Sequence, residues 1–269
     1  MFDWALWAVL ILVCIPGILV SLPRLTATIE KMVARQGEPD RPLPSRLVLF
    51  PLQAVQLLIF IGILDAVGVA LAPEVGLSAP FFSALVSDAP AWPALQEQLL
   101  PAFTLGLAGA IIFVAAYYLI FRPRLDPESL AASEGLRQQL GPAGRLLYGG
   151  IVEEVIARWG LMTLVVWLLS LVAGEATSAV MWSGIIISGV LFGLVHLPSY
   201  AAAGARLTRS YVSFTILLNL WASVIFGLLF WQVGLAAAML SHMLFHLVWL
   251  PFDRPRPYDQ PEGNYGQSK

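Results

Sequence analysis

Gly149-Gly150-Ile151-Val152-Glu153-Glu154-Val155-Ile156-Ala157-Arg158 sets two adjacent carboxylates and an arginine directly before an apolar run, Trp159 to Leu169. Together the two stretches are long enough to cross a bilayer. Ionisable groups inside a span are costly, so their presence is by default a functional signal. On a helix Glu154 and Arg158 are four apart and share a face, with the acid on the favoured N-terminal side. Glu153 is rotated from Glu154 by roughly 100° and has no basic residue at helical spacing in its own span. One carboxylate is therefore expected to be tied down and the other free to react. Gly149 and Gly150, one turn before each acid, are expected to leave room for water or a substrate backbone. A purely structural ion-pair cluster would use the same three residues.

Outward from this stretch the chain is 58% hydrophobic and 12% charged over 269 residues. Soluble domains run near 45–50% apolar and about 25% charged. The expected fold is all-α: a polytopic transmembrane bundle of about seven spans with short interfacial helices. A net charge of −2, with no basic stripe interleaved with aromatics, gives no basis for nucleic-acid binding. The single cysteine, Cys14, excludes an intrachain disulfide framework and a Cys-rich metal site.

In chain order, the first span is read at 2–22, a retained helix with no cleavage site behind it. A polar loop follows at 23–46, and a second span at 47–72. The proline-rich stretch 73–100, with Phe81, Phe82 and Trp92, reads as interfacial. The third span is placed at 101–121. Asp126-Pro127-Glu128 reads as an N-cap, a first-turn proline and a first-turn acid, opening an amphipathic surface helix that Gly141-Pro142 stops. Spans four to seven are placed at 146–172, 177–197, 211–231 and 234–251. The expected division is thus residues 1–145 with three spans and the surface helix, a four-span catalytic core at 146–251, and a disordered tail at 252–269.

Every Lys and Arg except Arg158 falls in the first, third or fifth loop or in the tail. The positive-inside rule then puts the N-terminus outside and the C-terminus in the cytoplasm. With that topology, Glu153 lies roughly 12 Å in from Arg145. His196 sits at the cytoplasmic end of span five, and His242 and His246 in the cytoplasmic half of span seven. These are all the histidines in the chain, and all share a leaflet with the glutamates, which favours one shared polar site. A carboxylate to take a proton from water, with imidazoles to stabilise charge on a carbonyl oxygen, makes up the parts of a hydrolytic site. Ser183, Ser188 and Ser241 lie within spans but lack a nucleophile elbow or a Ser-Lys arrangement.

The ordered set Glu153-Glu154-x-x-x-Arg158, Phe192-x-x-x-His196 and His242-x-x-x-His246 resembles the three motifs of the CAAX-protease and bacteriocin-processing family, also called the ABI or type II CAAX prenyl endopeptidase family. These are intramembrane glutamic endopeptidases. The resemblance covers about residues 146–251. It implies Glu153 as the base that activates water and His196 as its partner. Glu154 and Arg158 would be supporting residues, His242 an oxyanion donor shared with His246, and Phe192 a side chain on the substrate side. It also implies a membrane-bound peptide or protein substrate, prenylated in some members, with no cofactor, and the setting expected here is a bacterial inner membrane. The family usually carries Asn or Asp at the position of His246. A neutral imidazole still donates one hydrogen bond, but His242 and His246 also have the spacing of metal ligands, with His196 and a glutamate to complete a zinc set. A zinc-dependent intramembrane protease is therefore one alternative. A non-catalytic scaffold or immunity-type binder is another, and a proton or ion pathway a third; the confinement of the cluster to one leaflet argues against the pathway, Asp65 being the only other clear intramembrane acid.

Overall fold

The computed structural model describes residues 1–35 and 44–253. Among these the chain is helical and contains no strand. The helices are α1 (Trp4–Arg35), α2 (Arg46–Leu71), α3 (Pro80–Leu85), α4 (Ala91–Ala116), α5 (Pro127–Gly144), α6 (Thr163–Ala173), α7 (Ser178–Ala203), α8 (Arg209–Gln232) and α9 (Leu235–Trp249). Seven membrane-length apolar helical segments run through them. The protein is an integral membrane helical bundle. The expected tail lies outside the described residues from 254 onward.

Several helices run further than the sequence suggests. α1 continues through Pro23 to Arg35, where a polar loop was expected. A proline inside a helix removes a hydrogen bond and costs about 3 kcal/mol, and here α1 is held past that point by contacts with α2. Thr26 Oγ1 and the Gln53 side-chain amide meet at 3.2–3.3 Å, and Glu30 pairs with Arg46 at 2.9 Å. α7 likewise passes through Pro198 to a left-handed Gly204 (φ 110°), so His196 lies within a helix and not at its end. α4 begins at Ala91, ten residues before the expected 101, leaving α3 as the interfacial helix. Pro93 falls in the first turn of α4, where a missing N–H costs nothing. Its side is secured by Gln98, which accepts from the backbone of Ala237 at 3.0 Å and so serves the open N-terminus of α9.

The surface helix matches expectation more closely. Asp126 accepts from Ser129 N at 2.9 Å as the N-cap, and Gly141 (φ 65°, ψ 172°) breaks α5 before the chain turns into the membrane. From there to α6 the winding is not α-helical: Arg145–Val152 and Val155–Met162 are both π-helical. One hydrophobic core draws on both halves of the chain, from Leu10 and Ile61 to Trp159, Phe226 and Phe245.

Candidate active site

The glutamates sit at the junction of the two π-helical turns, a winding that is rare and recurs at functional sites. The Glu153 N–H reaches back to the Tyr148 carbonyl, five residues earlier. The α-helical arithmetic that places Gly149 and Gly150 one turn before the acids therefore does not apply. Neither glycine leaves open room. A Cβ on Gly149 would lie 2.5 Å from His246 Nε2, and one on Gly150 would run into Met243. Both let α9 approach the glutamate-bearing helix closely.

Glu154 is fully buried and its contacts are specific. Oε1 receives a hydrogen bond from His242 Nδ1 at 2.6 Å and lies 3.2 Å from Arg158 Nη1. The Arg158 approach is an ion pair without hydrogen-bond alignment. The Arg158 guanidinium donates from Nη2 to Ser223 Oγ at 2.9 Å. It also lies over the rings of Phe192 at 5.4 Å and Phe226 at 5.1 Å. Four helical segments thus converge on one arginine–glutamate pair. Glu153 is half-buried and has no side-chain hydrogen bond or ion pair among the described residues.

The histidines are oriented by their Nδ1 atoms. His196 Nδ1 donates to the Phe192 carbonyl at 2.7 Å, and the Phe192 ring meets the imidazole edge-on at 4.6 Å. A carbonyl only accepts, so a neutral His196 keeps its lone pair on Nε2. The same reasoning applies to His242 against the Glu154 carboxylate. Its ring is stacked between Phe226 (4.6 Å) and His246 (4.9 Å). His246 Nε2 is buried without a hydrogen-bond partner. The structure thus brings Glu154, Arg158, Phe192, His242 and His246 into one connected cluster. Glu153 adjoins it along the chain, and His196 adjoins it through Phe192.

Two members were missed from sequence. Ser223 and Phe226 lie on α8, which carries no motif. A serine and an aromatic in an apolar span are unremarkable until the arginine that needs them is located. Among the described residues, no three His, Cys, Asp or Glu side chains group so as to hold a metal ion. Nδ1 of His242 and of His196 each face an oxygen of the protein, which leaves Nε2 as the ring nitrogen open to other partners.

No curated protein and no solved structure matches the chain. Residues 142–248, the stretch that carries both glutamates, Arg158 and all three histidines, match the family model described as type II CAAX prenyl endopeptidase Rce1-like, so that this part of the chain is similar to the CAAX-protease family.

Proposed function

We propose that the protein is an intramembrane endopeptidase that hydrolyses peptide bonds of membrane-associated substrates, lipidated or transmembrane, with water activated by Glu153. The observation that carries this reading is the contrast between the two carboxylates. Glu154 is spent on Arg158 and His242, while Glu153 stands half-buried and unpaired beside them.

In this reading a water molecule gives one hydrogen bond to Glu153 and another to Nε2 of His196. Glu153 takes the proton as the water oxygen bonds to the scissile carbonyl carbon. The tetrahedral intermediate then collapses, the C–N bond breaks, and the proton on Glu153 passes to the leaving amine. Charge on the former carbonyl oxygen is met by His242 and His246. For His242 the geometry sets a condition. With Nδ1–H given to Glu154, Nε2 donates only from a doubly protonated ring, and the carboxylate at 2.6 Å supplies the counter-charge for that form. Glu154 is in this reading a positioning residue for His242, and Arg158 holds Glu154 in turn. Phe192 sets the His196 ring and lines the substrate side.

The proposed orientation has the N-terminus outside and the C-terminus cytoplasmic, in a bacterial inner membrane, with a prenylated chain as one admissible substrate. The test is Glu153→Gln in detergent-purified protein, assayed on prenylated and unmodified peptide reporters. The amide keeps the shape and loses the basicity, so turnover should fall at least 100-fold with the melting temperature unchanged. Full turnover in a folded variant would remove Glu153 from the role of base.

A further inference from the structure

α8 brings more to the site than Ser223. Tyr211, Thr215, Asn219 and Ser223 follow one another at four-residue steps, so they form one polar stripe along an apolar span. The stripe is turned inward. Thr215 is 2% and Ser223 3% exposed, whereas Leu217 is 51% exposed and marks the lipid face. Leu217 lies about 160° round the helix from Asn219. Asn219 is half-buried, and its open area is therefore on the side away from lipid.

α7 runs antiparallel against this stripe. A Cβ on Gly189 would meet Ser223 Cβ at 2.7 Å, one on Gly193 would meet Asn219 Cβ at 3.4 Å, and the rings of Tyr200 and Tyr211 lie 5.7 Å apart. Asn219 is thus level with Phe192 and Gly193, between two members of the site. Ser223, one turn on, accepts from Arg158 at 2.9 Å. Phe192 lies 5.4 Å from the same guanidinium and 4.6 Å from the His196 ring. The Asn219 amide is only half used. Its Nδ2 donates to the Thr215 carbonyl at 2.8 Å. A carbonyl only accepts, so the nitrogen must be the atom turned to Thr215 and Oδ1 the atom left over. Oδ1 has no hydrogen-bond partner among the described residues. The Tyr211 hydroxyl also lacks one, but it is fully buried. An unpaired amide oxygen in a membrane span is a cost that packing alone does not explain.

We propose that Asn219 Oδ1 is a subsite for the substrate backbone: it accepts one N–H of an extended peptide close to the scissile bond, and so sets which bond lies at Glu153 and His196. The proposal rests on the hydrolytic reading above for the ligand being a peptide. Every residue of such a chain except proline carries a backbone N–H that needs an acceptor. Within the bilayer there is no bulk water to supply one. A fixed amide oxygen beside the site meets that need without reading any side chain.

The experiment uses the full chain carrying Glu153→Gln and measures binding by fluorescence anisotropy. The probes are a prenylated peptide reporter and a set of its analogues, each with one backbone N–H near the scissile bond replaced by an ester oxygen. One analogue should bind about 3- to 10-fold more weakly than the parent, the range of a single neutral hydrogen bond. Asn219→Leu should weaken the parent by a similar factor and erase the difference at that one position. Asn219→Asp keeps an acceptor oxygen and should keep the difference. The proposal is overturned if Asn219→Leu leaves the difference in place, or if it weakens every analogue by the same factor, which is the mark of a merely structural role. It is equally overturned if no ester position matters, or if no reporter binds. If Asn219→Leu does not fold, the aspartate variant decides alone: loss of the difference in a folded Asn219→Asp chain overturns the proposal. Turnover by the chain with Glu153 intact separates the two claims. A position-specific effect of Asn219 on binding without any cleavage would sink the hydrolytic reading and keep the subsite; cleavage with no such effect would do the reverse.

Discussion

Glu153 and Glu154 are neighbours in the chain with opposite surroundings, and the difference is open to measurement. Removing one partner of a buried ion pair costs about 3–5 kcal/mol, because it strands the other charge. Glu154→Gln leaves Arg158 facing an amide and frees His242 from its 2.6 Å contact. It should lower both the melting temperature and the turnover of the purified protein. If Glu154→Gln is fully stable while Glu153→Gln unfolds, the two roles are reversed. His246 supports a second test. Its Nε2 is buried against Gly149 without a hydrogen bond, and an asparagine amide can also donate to an oxyanion. His246→Asn should therefore keep most of the activity, and elemental analysis of the unaltered protein should find no stoichiometric zinc. Zinc near one per chain, lost together with activity in the variant, would replace the glutamate mechanism with a metal one. The Glu154–Arg158 pair was legible beforehand because its members are four residues apart in one span. Its other partners, His242 and Ser223, lie on other helices 88 and 65 residues away, and no local spacing reports such a meeting.

At the level of helices, the position of α9 against the glutamates is set at its end as well as by its packing. Asp253, just past α9, lies between two arginines. Arg145 Nη1 reaches one carboxylate oxygen at 2.6 Å, and Arg137 donates from Nε to both at 2.9 Å. Arg145 also donates to the Arg137 carbonyl, and the Arg137 guanidinium lies 4.2 Å over Trp249. This clasp joins α5, the first π-helical turn and the end of α9. The Asp253 side chain is 4% exposed, so the cost of stranding buried charges applies here too. Asp253→Asn should destabilise the protein by about 3 kcal/mol, with Asp253→Glu recovering part of the loss in a thermal melt. An unchanged melt for the amide variant would show that the clasp is ornamental. The seven spans and the break at Gly141 were readable because hydropathy and a Gly-Pro pair are strong local signals. The π-helical winding was not, since it adds no distinctive residue. The continuation of α1 past Pro23 was hidden for a related reason. It depends on Gln53 of another helix, which tertiary contact supplies and propensity does not.

For the whole molecule, the distribution of basic residues predicts sidedness. A reporter fused after Lys269, or inserted between α7 and α8, should read cytoplasmic, and one placed in 73–90 should read external. An external reading at Lys269 would mean that the number of crossings is wrong. On the side of the site away from Arg145 the interior is packed around Trp159. Trp159 follows Arg158, is 2% exposed, packs into the space left by Gly68 and against Phe230, and donates to buried Asp65 at 2.9 Å. A hydrolase that admits water part-way into a bilayer is a potential short circuit for protons. In the proposed reaction the buried Trp159, held by Asp65, would make that water a dead end, and a cell could then carry many copies of this protein without draining the gradient across the membrane that houses it.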